Sequence, residues 1–301
     1  MISRVFRQIE NVLFFEGSLR VLMYHSVSGD GHRDALTVDS RQLEQHFQYL
    51  RAKGYTTILL SDLVAYYDHQ RPLPPYPVLI TFDDGFRNNL KIALPLAKKY
   101  GMKINLFLVP AFIMSGMYKN KPCLRAEDLQ QLDHSLVEIG LHSCTHASYA
   151  EMILPEVNVD ILRCRLELEK MGVLYQPCLA YPYGAYPRGK KEDQALFFKI
   201  LDKAGIRLAF RIGNRINALP LKNKFLIQRL DIRGDEPLLS FKMSLAFGRK
   251  LLGWPRPVRY AFFRIGKKMS SQSLVWLAFL LGMIFFLLIA MLIRSCSLHS
   301  A

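Results

Sequence analysis

Hydrophobic and polar positions between residues 21 and 232 switch repeatedly between two periods. Short runs are apolar, β-branched or aromatic almost throughout: "VLMYH" (21–25), "TTILL" (56–60), "VLITF" (78–82), "INLFLV" (104–109) and "VEIGLH" (137–142). Runs of that length read as strands buried on both faces. Between them the spacing becomes helical. "RQLEQHFQYLRAKG" (41–54) sets Leu43, Phe47 and Leu50 on one face and stops at Gly54. "SDLVAYYD", "NNLKIALPLAKKYG", "AEDLQQL", "EVNVDILRCRLELEKMG" (156–172) and "EDQALFFKILDKAG" continue the series, with "PCLAYP", "RLAF" and "FLIQRLDI" as the later strands. Strands alternating with helices predict a parallel sheet wrapped by helices. About seven such strands and no GxGxxG loop favour an α/β fold of the irregular (β/α) barrel kind over a dinucleotide-binding sheet. No internal repeat and no low-complexity tract interrupts the pattern.

The pattern changes character near the C-terminus. "LVWLAFLLGMIFFLLIAMLI" (274–293) is uncharged and apolar on every side. At about 1.5 Å per residue, 20 residues cross a hydrocarbon core about 30 Å thick. The predicted organisation is an N-terminal segment (1–20), a barrel (21–236), a basic aromatic juxtamembrane segment (237–273), a transmembrane helix (274–293) and a short tail (294–301).

Charge now changes the picture. The 301 residues carry a formal charge of +15, from 40 Lys and Arg against 25 Asp and Glu. No acidic residue follows Glu236, and nine of the basic residues lie beyond it. The excess is therefore a property of the C-terminal segment and does not mark a nucleic-acid binder. Eight of the nine precede the apolar run, interleaved with Trp254, Tyr260, Phe262 and Phe263. The positive-inside rule then predicts a single-pass protein of the inner or cytoplasmic membrane, anchored C-terminally, with its barrel on the cytoplasmic side. "MISRVFRQIENVLFFEGS" has charges throughout and no long apolar stretch, unlike a signal peptide. Five scattered cysteines without CxxC spacing fit a reducing compartment rather than a disulfide framework.

Three polar clusters end predicted strands: "TFDDG" with Asp83 and Asp84, "LHSCTH" with His142 and His146, and "YH" with His25. In a parallel barrel the C-terminal strand ends share one mouth, where active sites form. Two imidazoles and one carboxylate make a three-ligand face for a zinc-like ion, and such an ion acidifies water at its open position. A second carboxylate can then take a proton. Two adjacent aspartates would thus divide ligand and base roles between them, since a cation offsets their repulsion. Asp-Gly is equally a strand-closing turn. His32, His46, His69 and His134 read as structural or solvated.

These residues resemble a known family. "TFDDG" and "HSCTH" look like the first two motifs of the NodB-like polysaccharide deacetylases (carbohydrate esterase family four), and "AYPYG" (180–184) looks like the third. The resemblance covers roughly residues 20–232. It implies an irregular (β/α) barrel and metal-dependent removal of N-acetyl groups from an amino sugar, a hydrolysis of a non-peptide C–N bond. It implies that Asp83 is the general base, that Asp84, His142 and His146 hold a divalent metal, zinc first with cobalt or nickel as alternatives, and that the Tyr183 backbone N–H helps hold the oxyanion. Many members carry an arginine where this chain has Ala180, and a late leucine–x–histidine motif that supplies the acid. This chain has neither. Its early "LMYHSV" is similar to the biofilm poly-N-acetylglucosamine deacetylases, in which an early histidine is the acid, and this implies that role for His25. Arg229, on the late strand, is a candidate for the missing charge beside Asp83. The expected substrate is an acetylated amino sugar, with lipid-linked sugars among the candidates given the predicted topology. Two rivals remain at this level: a deformylase or esterase on a lipid-linked sugar, and a catalytically silent glycan-binding or scaffold protein.

Overall fold

The computed structural model describes residues 17–248. The first 16 residues, most of the juxtamembrane segment, the predicted span 274–293 and the tail lie outside the described residues. Among the described residues no helix is long and apolar enough to cross a membrane.

Seven parallel strands close into a ring. They are β1 (Ser18–Tyr24), β2 (Pro77–Asp83), β3 (Ile104–Leu108), β4 (Val137–Leu141), β5 (Cys178–Ala180), β6 (Leu208–Ile212) and β7 (Ile227–Asp231). Each pairs with the next in chain order, and the ring shuts where β1 takes β2 on one side (Met23 opposite Thr81) and β7 on the other (Leu22 opposite Leu230). The strand expected at "TTILL" is shorter, Thr56–Ile58, and lies outside the ring. It pairs with only the first half of β2, and Leu60 already opens the helix Leu60–Tyr67.

Why the strands read as unbroken apolar runs is visible in β2, where all seven residues are buried. Its odd positions face the barrel interior, where Leu79 packs with Val21, Phe107, Ala180, Phe210 and Ile227. Its even positions, Val78, Ile80 and Phe82, pack outward against the helices. Burial on both faces removes the polar alternation that a one-sided sheet would show. Gly140, on β4, has a steric reason: a Cβ there would lie 2.5 Å from Cε1 of Phe107, whose ring fills the barrel.

The wrapping helices follow their sequence signals. Ser40–Ala52 starts at Asp39, whose side chain accepts from the Arg41 N–H at 2.8 Å, and buries Leu43, Phe47 and Leu50 as the spacing predicts. Leu154–Lys170 buries Val157, Asp160, Ile161, Cys164 and Leu168. One element was not foreseen. Leu238–Phe247 is a helix with Ser240, Phe241, Ser244 and Leu245 buried. Phe241 stacks on His46 at 3.8 Å, and the Leu245 carbonyl accepts from Nε of Arg20 at 3.1 Å. Packing on the barrel therefore continues past Glu236, where the sequence placed its end.

Candidate functional site

Because all seven strands are parallel, their C-terminal ends meet at one mouth. A cavity of about 200 Å³ opens there, and its walls include His25, Asp83, Asp84, His142, His146, Tyr183 and Arg229. The structure thus brings together every site residue that the sequence singled out.

Asp83 is the last residue of β2, at an inward position, and Asp84 lies one step beyond the strand. Asp84 and Gly85 both adopt left-handed conformations, with φ of 72° and 75°. This is the conformation that Asp and Gly tolerate best. It swings the Asp84 carboxylate away from that of Asp83 and towards the histidines. The turn and the functional pair are one feature.

Asp83 and Arg229 form an ion pair at 2.6 Å, with both side chains at most 2% exposed. Nη1 of Arg229 lies 3.5 Å from the Thr81 hydroxyl as well. Burial pushes the Asp83 carboxyl up. The charge of Arg229, followed by those of His142 and His25, outweighs it and holds the group below the ordinary carboxylate range.

Beside this pair, Oδ1 of Asp84 is buried and makes no hydrogen bond. Nε2 of His146 lies 3.2 Å from it, without hydrogen-bond alignment, and Nε2 of His142 lies 3.6 Å away. The ligand atoms of the three residues lie within 4.8 Å of one another. Each imidazole has its other nitrogen engaged: Nδ1 of His142 with the Ala180 carbonyl at 2.8 Å, and Nδ1 of His146 with the Tyr183 hydroxyl at 3.0 Å. The Ala180 carbonyl, an acceptor, fixes the His142 proton on Nδ1, and the Nε2 atoms of both rings face one orphaned carboxylate oxygen, as a metal-ligating set requires. Burial lowers the His142 pKa to about 4, so its ring is neutral at pH 7. Burial raises the Asp84 carboxyl, but the neighbouring His146, His25 and His142 rings outweigh that and bring it to about 2. A donor set of two imidazole nitrogens and one carboxylate oxygen fits zinc, cobalt or nickel better than an all-oxygen ion such as magnesium.

His25 follows β1 on the cavity wall. Its Nδ1 is buried without a partner, and its carbonyl accepts from Nδ2 of Asn89 at 2.7 Å. Tyr183 takes φ 58°. The next residue, Gly184, is so close to β6 that a Cβ would lie 2.6 Å from the Ile212 nitrogen. The Tyr183 side chain is 63% exposed and stands at the rim of the cavity.

Two contributors escaped the sequence reading. Asp160 holds the loop that carries both histidines. It accepts from Tyr149 Oη at 2.6 Å, from Ser143 Oγ at 3.1 Å and from the Cys144 N–H at 3.1 Å. Its signal was present, since it is a carboxylate on the apolar stripe Val157, Ile161, Cys164 and Leu168. Tyr118, whose ring lies 5.7 Å from that of His146, sits in a short hairpin (117–122) that carries no sequence pattern of its own.

Comparisons with known proteins agree with this geometry. The pattern of the polysaccharide deacetylase family matches residues 70–213. YxkH of Bacillus subtilis, named provisionally as a polysaccharide deacetylase, is 27% identical over 168 residues, covering 56% of this chain and 57% of YxkH, so the chain spans little more than half of that relative. The poly-beta-1,6-N-acetyl-D-glucosamine N-deacetylase of Staphylococcus aureus is 22% identical over 241 residues, 75% of this chain and 74% of that protein. Among solved structures, the Streptococcus pyogenes deacetylase PplD superposes with a TM-score of 0.64 at 15% identity, over 76% of this chain and 98% of PplD. That likeness shows the fold.

Proposed function

Since the chain belongs to the polysaccharide deacetylase family, we propose that it is a metal-dependent hydrolase that removes N-acetyl groups from an amino-sugar glycan or glycolipid precursor at a membrane. What supports this most is the convergence, in one cavity, of a charge-clamped Asp83 with the Asp84, His142 and His146 set.

Each residue then has a task its surroundings suit. A divalent ion, zinc in this proposal, would be held by Asp84, His142 and His146 and would supply Lewis acidity and acidify water beside it. Asp83, kept ionised by Arg229, accepts the proton of the attacking water. The Tyr183 N–H donates to the oxygen that gains charge as the amide carbonyl is attacked. His25, across the same cavity, protonates the departing amine. Arg229 takes the place of the absent third-motif arginine. The absent late histidine is made good by His25. These substitutions weigh against a silent binding protein.

Acetate release from acetylated glucosamine oligomers, measured with zinc-loaded full-length protein, tests the proposal. Asp83→Asn should keep the metal and lose turnover by about 100-fold or more. His146→Ala should lose both metal and turnover. Wild-type activity in either variant overturns the assignment.

We further propose that the run 274–293 anchors the barrel to a membrane with its mouth on the cytoplasmic side. The support is the basic flank before that run and the absence of acidic residues after Glu236.

A further inference from the structure

A second groove, about 540 Å³ in volume, lies beside the catalytic cavity and shares Tyr183 with it. It runs between the loop after β4, at Ala150, and the loop after β5, from Ala185 to Gly189. The proposed chemistry leaves it without a task. Buried Tyr186 lines it, and two guanidinium groups sit on that ring. The carbon of the Arg188 guanidinium is 4.9 Å from the ring centroid and that of Arg211 is 5.2 Å. Arg211 also donates from Nη1 to the Tyr186 hydroxyl at 2.7 Å, and Arg188 donates from Nη2 to the Gly184 carbonyl at 3.0 Å.

Two guanidinium groups thus share one ring. Some arginines of the described surface are paired with carboxylates, as Arg207 is with Asp68 and Arg233 with Asp235. Among the described residues, neither Arg188 nor Arg211 has a carboxylate at ion-pair distance; both are occupied by carbonyl and hydroxyl oxygens alone. The groove lining holds one acid, Asp193. Burial lowers the Arg211 pKa; Tyr186 works against this, and the charges of Arg188 and Arg215 add to it. Like charges held together on one aromatic ring are relieved by an anion. A planar guanidinium is suited to phosphate because it can donate two parallel hydrogen bonds.

We propose that this groove is a subsite for a phosphate-type anion carried by the substrate beside its acetylated sugar. The proposal rests on the deacetylase reading and narrows its substrate class. The acetamido group would enter the metal cavity, while the attached phosphate ester would lie across Tyr183 against Arg188, with Arg211 held on the same Tyr186 ring. The phosphate could belong to a soluble sugar phosphate or to a lipid-linked one. The recognition chemistry is the same.

The test is calorimetric titration of the full-length, metal-free protein, so that no bound ion can capture the anion. The probes are N-acetylglucosamine, N-acetylglucosamine 1-phosphate and the same sugar phosphate on a short polyprenyl chain in detergent. At least one phosphorylated probe should bind about ten-fold more tightly than the neutral sugar. Arg188→Glu, a change at an exposed position, should abolish that gap, and raising the salt should shrink it. A larger gap for the polyprenyl probe identifies a lipid source, and equal gaps a soluble one. Equal affinity for neutral and phosphorylated sugars, no binding of any of them, or a gap that survives Arg188→Glu overturns the subsite. Failure of acetate release with the phosphate preference intact would sink the deacetylase reading alone.

Discussion

Asp83 and Asp84 are neighbours in sequence and opposites in environment. One ends a strand facing inward onto Arg229. The other turns through a left-handed φ to face two imidazole nitrogens. Position on the strand, not residue type, separates the proposed proton acceptor from the proposed metal ligand. Arg229→Met makes the consequence measurable. It leaves Asp83 buried without its counter-charge, a change that typically costs about 3–5 kcal/mol. The Asp83 pKa, now depressed mainly by Arg229, should rise. A depressed carboxylate contributes stability above its unfolded pKa and loses it as pH falls through the folded value. The variant should therefore be less stable than wild type at neutral pH, with that difference narrowing in acid. The acidic limb of its kcat/KM profile should also move to higher pH. Denaturant unfolding across pH, together with the rate profile, reads both effects. An unmoved acidic limb would show that Arg229 does not set the base.

At the scale of elements, the site depends on strands that end level with one another, and this depends on how the barrel is filled. Phe107 and Gly140 are the clearest pair. The ring occupies the space that a side chain on β4 would need, two residues before His142. Gly140→Ala forces an overpacked interior and should cost about 1–3 kcal/mol. Because His142 follows directly on β4, zinc affinity should fall with stability. Thermal unfolding with and without zinc checks this, and an alanine variant as stable and as tightly metallated as wild type would count against it. Leu154–Lys170 illustrates the same dependence from outside. Its helical period was legible, but Asp160 on its buried face matters because of what lies opposite, the loop of Ser143 and Cys144. No spacing rule within the helix reports that partner.

For the molecule as a whole, the barrel reads as closed because β1, near the start of the described chain, receives both β2 and β7. That closure sets His25 from one end of the domain beside Arg229 from the other. The proposed membrane attachment belongs to this scale. Single cysteines placed on the exposed face of the helix Lys191–Lys203, in cells, should be protected from a membrane-impermeant thiol reagent until the membrane is opened. Labelling in intact cells would put the barrel outside and remove cytoplasmic glycolipid precursors from the candidate substrates.

Much of this was already present in the sequence. Apolar runs of strand length alternating with helical spacing determined a parallel (β/α) architecture, because strands buried on both faces have no other way to be written. The motif residues fixed Asp83, Asp84, His142 and His146 as candidates, since few other roles bring paired acids and paired histidines to strand ends. Tertiary structure alone decided the rest. It placed Thr56–Ile58 outside the ring and continued the packing through Leu238–Phe247. It turned the Arg229 candidate of the sequence into an ion pair with Asp83 across 146 residues of chain, and set Arg188 and Arg211 on one tyrosine. Local periodicity reports which face of an element is buried. Contacts across the barrel depend on register and closure, which no local window contains.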